Sequence, residues 1–319
     1  MQKYKNKTVF ITGVAGLAGS TSAKHFLEQG AHVVGLVKDK NKKSYNLPTN
    51  DNLSIVQGDI RDKDCLQYCL SKYEVDYVLH LASQPIVRIC HNDPYTAYTT
   101  NVMGVINLFE ACKALKSFPK KVVVMTSDKS YGPAPVPYHE DTPYAIFDSY
   151  TTSKICQDAV SLSYARTYGY PIVVVRAGNL YGPGDLNLSR LIPRSVLKML
   201  DNESPMLYRE VGEYIREFLY IEDIVRAYDV LLEKGVPGEA YNVGGTPPQR
   251  ILDVITMIRD KINPSIPIQI EDKNFDEIHE QYLNADKIKA LGWESGVDLS
   301  TGLNRTIEWY RDYKKICGW

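Results

Sequence analysis

The chain has 319 residues, and its 37 Lys and Arg against 38 Asp and Glu leave a formal charge of −1 at pH 7. Charged residues are 24% and hydrophobic residues 44% of the chain, the balance of a protein that buries one large core or two modest ones. Near-neutrality excludes bulk attraction to nucleic acid or an anionic membrane, and tyrosine outnumbers phenylalanine 23 to 7.

The first residues, Met1-Gln2-Lys3-Tyr4-Lys5-Asn6-Lys7, are charged and lead into a short apolar run that ends at Thr12-Gly13, so no signal peptide is expected. Six short runs rich in Val and Ile follow: Thr8–Thr12, His32–Val37, Leu53–Val56, Tyr77–Ala82, Val122–Thr126 and Ile172–Arg176. They read as buried parallel strands. Helical patterns fill the gaps at Ser20–Gln29, Asp62–Lys72, Tyr95–Lys116 and Ser149–Tyr168. This alternation predicts an α/β fold, a doubly wound parallel sheet of the Rossmann type.

Beyond Gly182 the rhythm breaks, with helices expected at Ser189–Leu200, Ile251–Ile262 and Ser300–Lys315, and a helix and strand at Glu217–Glu233 and Ala240–Val243 returning to the main sheet. The predicted division is residues 1–182 with about 216–246 as the domain of the parallel sheet. Residues 183–215 with 247–319 form a smaller, discontinuous α+β domain. The six cysteines make no CxxC pair, so reduced structural thiols, a cytoplasmic location and no metal site are expected. No run of 18 apolar residues predicts a membrane span. Lys38–Lys43 reads as a basic loop.

Thr12-Gly13-Val14-Ala15-Gly16-Leu17-Ala18-Gly19 follows a strand and opens a helix. Gly13 and Gly16 let the backbone turn tightly toward a pyrophosphate. The N–H groups near Leu17 and Ala18 and the helix dipole favour an anion, and Gly19 permits close helix packing. After the second strand come Lys38, suited to a 2′-phosphate, and Asp39, suited to a ribose hydroxyl, so NAD and NADP both stay open. Asp59-Ile60 after the third strand can meet an adenine. Leu81-Ala82-Ser83 closes the fourth strand at the same edge, where ligands bind in such sheets. Tyr150 and Lys154 lie one helical turn apart, after a strand that ends in Thr126-Ser127-Asp128-Lys129. A free phenol has a pKa of ~10, and a nearby ammonium would favour the phenolate. Tyr150 is thus a candidate base.

With these motifs in order, the chain resembles the extended short-chain dehydrogenases/reductases that act on nucleotide sugars. The likeness includes Arg176-Ala177-Gly178-Asn179 and Arg216-Glu217-Phe218, and is nearest to CDP-glucose 4,6-dehydratases at Ser83–Arg88, Thr99–Gly104, Thr126–Lys129 and Ala177–Asp185. The resemblance implies a redox-neutral dehydration with a tightly bound, recycled NAD or NADP and a nucleotide-diphosphate sugar as substrate. Tyr150 would take the O4 proton, Thr126 would hydrogen-bond O4, and Lys154 would hold the ribose and lower the Tyr150 pKa. Asp128 and Lys129 would be the acid and base for loss of water across C5–C6, with Lys129 active as a base only if desolvation depresses its pKa. Ser83, Gln84, Asn179, Arg190, Leu191 and Arg216 match substrate-contacting positions. A homodimer paired through Tyr95–Lys116 and Ser149–Tyr168 is also implied. The alternative within the family is a nucleotide-sugar 4-epimerase, which has no use for an acid/base pair at C5 and C6.

Overall fold

The computed structural model describes residues 2–40, 46–272 and 277–317. Positions 41–43 of the predicted basic loop therefore lie outside the described residues. The apolar runs form seven strands of one parallel sheet: β1 (Thr8–Thr12), β2 (His32–Val37), β3 (Leu53–Gln57), β4 (Tyr77–His80), β5 (Lys121–Met125), β6 (Ile172–Ala177) and, after the second region has begun, β11 (Ala240–Val243). Their order across the sheet is β11-β6-β5-β4-β1-β2-β3. It reverses between β1 and β4, where open α/β sheets bind ligands. Because both faces are covered, the strands are apolar on both sides. Val122 and Val124 of β5 face one core cluster and Val123 the other.

Helices α1 (Leu17–Glu28), α2 (Lys63–Lys72), α3 (Val87–Asn92), α4 (Pro94–Tyr98), α5 (Gly104–Lys113) and α6 (Ser149–Tyr168) link these strands. Asp62 caps α2 by accepting from Cys65 N, and Asp148 caps α6 by accepting from Thr151 N at 2.7 Å. Gly169, at φ +67°, ends α6 in the left-handed conformation that costs other residues most. The single helix expected over Tyr95–Lys116 is corrected to α4, a π-helical turn at Thr99–Met103, and α5. That turn carries the buried Asn101, whose amide accepts from Gln84 N at 2.7 Å and donates to Ser153 Oγ at 2.9 Å. A regular helix would have rotated this side chain off α6.

The second region contains β7 (Asn179–Tyr181), α7 (Leu191–Leu200), β8 (Met206–Tyr208), α8 (Arg209–Glu213), β9 (Ile215–Arg216) and β10 (Phe218–Tyr220), followed by α9 (Ile221–Lys234). After β11 come β12 (Gln249–Arg250), α10 (Ile251–Ile262), β13 (Gln269–Glu271), β14 (Glu280–Gln281), α11 (Asp286–Lys289) and α12 (Leu299–Cys317). The helix expected over Glu217–Glu233 starts only at Ile221, because Phe218–Tyr220 pairs in parallel with β7. A three-residue strand has too few positions to show a period, so tertiary pairing decided it. One apolar cluster runs from Val9 and Ile11 under the sheet to Ile255 and Tyr310. Among the described residues no helix is long and apolar enough to cross a membrane, and no group of His, Cys, Asp or Glu could hold a metal ion.

Candidate active site

The site starts where β1 hands over to α1. Gly13 takes φ +71°, and a Cβ there would lie 2.9 Å from the Ala82 backbone. A Cβ on Gly19 would collide with the Gly13 carbonyl. The turn is tied to β2 through Gly13 N to Leu36 O at 3.1 Å, and closes on itself through Gly16 N to Gly13 O at 3.0 Å. Gly16 caps α1 without a side-chain bond, and no acidic residue sits in the first turn at Leu17, Ala18 and Gly19. That leaves donors and a positive dipole end facing the sheet edge. Thr12 Oγ1 accepts from both Leu81 N and Ala82 N at 3.2 Å and bonds His80 Nδ1 at 3.0 Å, so one hydroxyl aligns the ends of β1 and β4. His80 is fully buried, and burial with Lys154 nearby pulls its pKa down to about 3. Ser83 follows, partly buried, and the Gln84 carboxamide turns back to Ile86 N at 3.3 Å.

At the other end of this groove, Asp59 is engaged by Arg61 and by Lys38, whose ammonium stands 3.4 Å from Oδ2. The Arg61 hydrogen bonds and charge hold the Asp59 carboxyl down at about 2. The acceptor expected for adenine is thus already bonded to two cations. Ile60 is buried, and a cleft of about 470 Å³ opens beside Asp59, Tyr95 and Asn107.

The reacting end differs from expectation at Thr126. Its N–H still pairs with Val175 O, so it continues β5 with the parity of Val122 and Val124 and faces α6. Its hydroxyl donates to Asp158 Oδ2 at 3.1 Å and Val175 O at 3.0 Å and is turned away from the cleft. The neighbouring Ser127 occupies that place: its hydroxyl faces the Tyr150 phenol and donates to Asp128 Oδ1 at 3.3 Å. Sequence reading missed Ser127. Strand parity carried the signal, since counting from the valines assigns Thr126 to the helix-covered face.

Tyr150 is buried in the first turn of α6, and burial pushes its phenol up to about 12; the Ser127 hydroxyl and the Arg190 charge oppose this, and Asp128 reinforces it. Lys154 stands one turn further along α6, on the same face as Tyr150. Its ammonium lies deeper, donating to Gln157 Oε1 at 2.9 Å and Met125 O at 3.4 Å, and burial draws it down to about 8. Asp128 is buried, with its pKa raised by desolvation against the pull of Gln281, Lys129, Ser127 and Arg216. Its Oδ2 has no hydrogen-bond partner among the described residues. Lys129 bonds Glu277 at 3.3 Å; the desolvated, isolated amine that its role as a base called for is replaced by an ion pair.

Of the substrate-side positions, Arg190 and Leu191 open α7, and Arg190 pairs with the buried Asp185 at 3.1 Å. Asn179 Nδ2 donates to Glu217 O at 3.2 Å. Arg216 is buried, and its guanidinium donates to the carbonyls of Ile215, Ile278 and His279. Its Nη2 stands 3.7 Å from Glu277. The open fork expected for a diphosphate is spent on backbone here. The structure brings Ser127, Asp128, Tyr150 and Arg190 together, and leaves Lys38 and Asp59 at the far end of the groove.

A strand–glycine turn–helix cradle beside a Tyr150/Lys154 helix defines a chain of the short-chain dehydrogenase/reductase class. Residues 9–244 match the profile of the NAD dependent epimerase/dehydratase family, and the chain belongs to that family. It is similar to a trifunctional UDP-glucose 4,6-dehydratase/UDP-4-keto-6-deoxy-D-glucose 3,5-epimerase/UDP-4-keto-L-rhamnose-reductase of Arabidopsis thaliana, 31% identical over 325 residues that cover 98% of this chain and 48% of the relative. The chain spans about half the length of such curated relatives. Among solved structures, it resembles a dTDP-glucose 4,6-dehydratase from Streptomyces venezuelae with NAD and TYD bound (TM-score 0.88, 27% identity, 97% of this chain and 98% of that one). It also resembles a UDP-glucose 4-epimerase from Thermotoga maritima with UDP-glucose (TM-score 0.89, 25% identity, 96% and 99%).

Proposed function

We propose that the chain is a nucleotide-sugar 4,6-dehydratase, converting an NDP-hexose to the NDP-4-keto-6-deoxyhexose with loss of water. Asp128 carries this reading: a buried carboxyl, held toward its protonated form, with one bare oxygen and the other bonded to the serine that faces Tyr150. An acid at that point has a task only where a C–O bond breaks, whereas a 4-epimerase works at C4 alone. The glycine cradle fits a nicotinamide dinucleotide. Gly13 leaves no room for a side chain, and α1 presents free first-turn donors without an acid.

When bound, the dinucleotide supplies the acceptor for the C4 hydride and the donor that returns it to C6. Tyr150 takes the O4 proton once its phenol is brought down from about 12, a direction in which the Ser127 hydroxyl and Arg190 already act. Lys154 sits below to hold the ribose. The C4 ketone acidifies the C5 proton, Asp128 donates its proton to the departing O6 hydroxyl, and water leaves. Lys129 accepts the C5 proton only as a free amine, so in this reading its ammonium first passes a proton to Glu277, and Lys129 returns the abstracted proton to C5 at the end of the sequence. Ser83, Gln84, Asn179, Arg190, Leu191 and Arg216 line the sugar-nucleotide side, to which residues 183–215 and 247–319 contribute. NAD is the cofactor that the family description and the Streptomyces structure favour; Lys38 keeps NADP in the comparison. A homodimer paired through residues 95–116 and α6 belongs to the same reading.

The test incubates the protein with CDP-, GDP-, UDP- and dTDP-glucose and either dinucleotide, and follows product mass. Loss of one water is expected. The relatives named above act on dTDP- or UDP-glucose, whereas Asp128-Lys129 points to CDP-glucose, and the panel decides between them. A product of unchanged mass with inverted C4 would establish the 4-epimerase, the reading supported by the Thermotoga likeness.

A further inference from the structure

Beneath the site lies a buried cluster that the chemistry above does not use. Asp158 stands on α6 one turn beyond Lys154 and two beyond Tyr150, on the same face. Its carboxylate is fully buried and accepts from Thr126 Oγ1 at 3.1 Å, Arg176 Nε at 2.8 Å, Arg176 Nη2 at 3.1 Å and the Tyr144 hydroxyl at 2.7 Å. Arg176, on β6, donates further to Tyr131 OH at 2.9 Å, Glu140 O at 2.8 Å and Tyr144 OH at 2.9 Å. Tyr131 passes the chain on to Asn242 Oδ1 at 2.6 Å, on β11.

For stability alone such a pair has little to recommend it, since apolar residues of similar volume often serve as well. Its attachments are what single it out. Thr126 immediately precedes Ser127. Tyr131 closes the short turn that begins at Asp128. Tyr144 lies in the loop before α6, and α6 itself bears Tyr150 and Lys154. Every element that carries a reacting group is therefore fastened to one carboxylate and one guanidinium. The charges are uneven as well. The groups facing Lys154 are Gln157 and Asp158 on its own helix, Tyr150 one turn back, Cys90 on α3, His80 at the end of β4 and the Met125 carbonyl at the end of β5. Burial raises the Cys90 thiol to about 11 and the Tyr150 phenol to about 12, and draws His80 down to about 3, so these three are neutral near pH 7. Among the described residues, only Asp158 opposes the buried ammonium with a formal negative charge.

We propose that Asp158 is a positioning residue of this site, acting through Thr126, Arg176 and Lys154: its carboxylate ties together the elements that carry the reacting groups and supplies the negative charge against which Lys154 stands. Asp158→Asn keeps the shape and removes the charge; Asp158→Glu keeps the charge; Thr126→Val removes one tie and leaves the ion pair.

Competitive labelling with acetic anhydride, read by peptide mass spectrometry from about pH 6 to 10, follows the Lys154 amine across its titration range without substrate or dinucleotide. In Asp158→Asn its midpoint should fall by about one unit, a tenfold change, while Asp158→Glu and Thr126→Val stay with the wild type. The turnover arm rests on the dehydratase reading. There the basic limb of the kcat profile moves down equally in Asp158→Asn, and Thr126→Val lowers kcat about tenfold with KM nearly unchanged. An unmoved Lys154 midpoint overturns the proposal. So does a kcat loss that merely tracks the folded fraction seen by circular dichroism. Should Asp158→Asn not fold, the kcat-against-KM split of Thr126→Val decides, and an unchanged kcat sinks the idea. A wild type without turnover on any nucleotide sugar refutes the dehydratase reading, while the labelling result still decides the role of Asp158.

Discussion

The two ends of the groove are built from different materials. The cradle at Gly13–Gly19 works through backbone: a left-handed glycine, free N–H groups and a helix end. The reacting end at Ser127, Asp128, Tyr150 and Lys154 works through buried side chains whose ionisation burial has shifted, in each case where a shift is resolved, toward the neutral form. A backbone site depends on shape and tolerates no added atoms. A side-chain site depends on its neighbours, and one altered partner changes its chemistry while the fold stands. His80 joins the two, bonded to Thr12 of the cradle and lying within reach of Lys154.

The sharpest break in this contrast is Tyr150→Phe. Turnover should fall by roughly 10²–10⁴, the usual share of an acid–base group, while dinucleotide affinity measured by calorimetry stays within about threefold. A comparable loss of affinity would mean that the ends are not separable. Acid comes next, acting at the joint. The folded-state pKa of His80 lies below that of the unfolded chain, so this residue adds stability above about pH 6.5 that drains away as pH falls toward 3. By pH 4.5 roughly 3 kcal/mol of a total near 5 should be gone. Urea unfolding at pH 7.5 and 4.5 should show a smaller acid loss in His80→Gln than in wild type, and equal losses would refute the assignment.

Smaller is the effect of Gly13→Ala, where a Cβ meets the Ala82 backbone at 2.9 Å in a left-handed conformation. A cost of about 1–3 kcal/mol in thermal unfolding is expected, together with weakened dinucleotide binding. Retention of both would show that the cradle yields more readily than its geometry implies. The smallest is Ser127→Ala, with kcat lowered about tenfold and stability unchanged to within about 0.5 kcal/mol. If Ser127→Ala is silent in kcat, Thr126 regains the place it was first given.

Tyrosine abundance belongs to the same contrast. Tyr131, Tyr138 and Tyr144 all lie near the reacting end, and each donates its hydroxyl: to Asn242, to Gly132 O and to Asp158. Phenylalanine could fill their volume but could not satisfy a buried carboxylate or carbonyl. Tyr181 and Tyr220 pack edge to face in the second region and show that other rings serve the core.

Much of the fold was legible because its signals are local. β1, β2 and α6 fall on their expected residues, and α10 over Ile251–Ile262 does so as well. Where the signal was short or shared, reading failed: the π-helical turn at Thr99–Met103 looks like helix in sequence, and Phe218–Tyr220 is too brief to display alternation. At the site, the glycines and Tyr150/Lys154 were readable from spacing. Ser127 lost out to Thr126 because two adjacent hydroxyls differ only in which face of the strand they occupy.

By itself, then, the sequence determined the parallel sheet, the glycine cradle at its edge and the pairing of Tyr150 with Lys154 one turn on, because each follows from periodicity or backbone permissiveness within a few residues. Tertiary structure alone decided that Thr126 turns inward to Asp158, that Arg216 spends its fork on carbonyls, that Lys129 meets Glu277, and that the Ser127 hydroxyl and the Arg190 charge both act to lower the phenol of Tyr150. Those outcomes depend on partners many residues distant and on how much water their packing removes, and neither is written in any local stretch of chain.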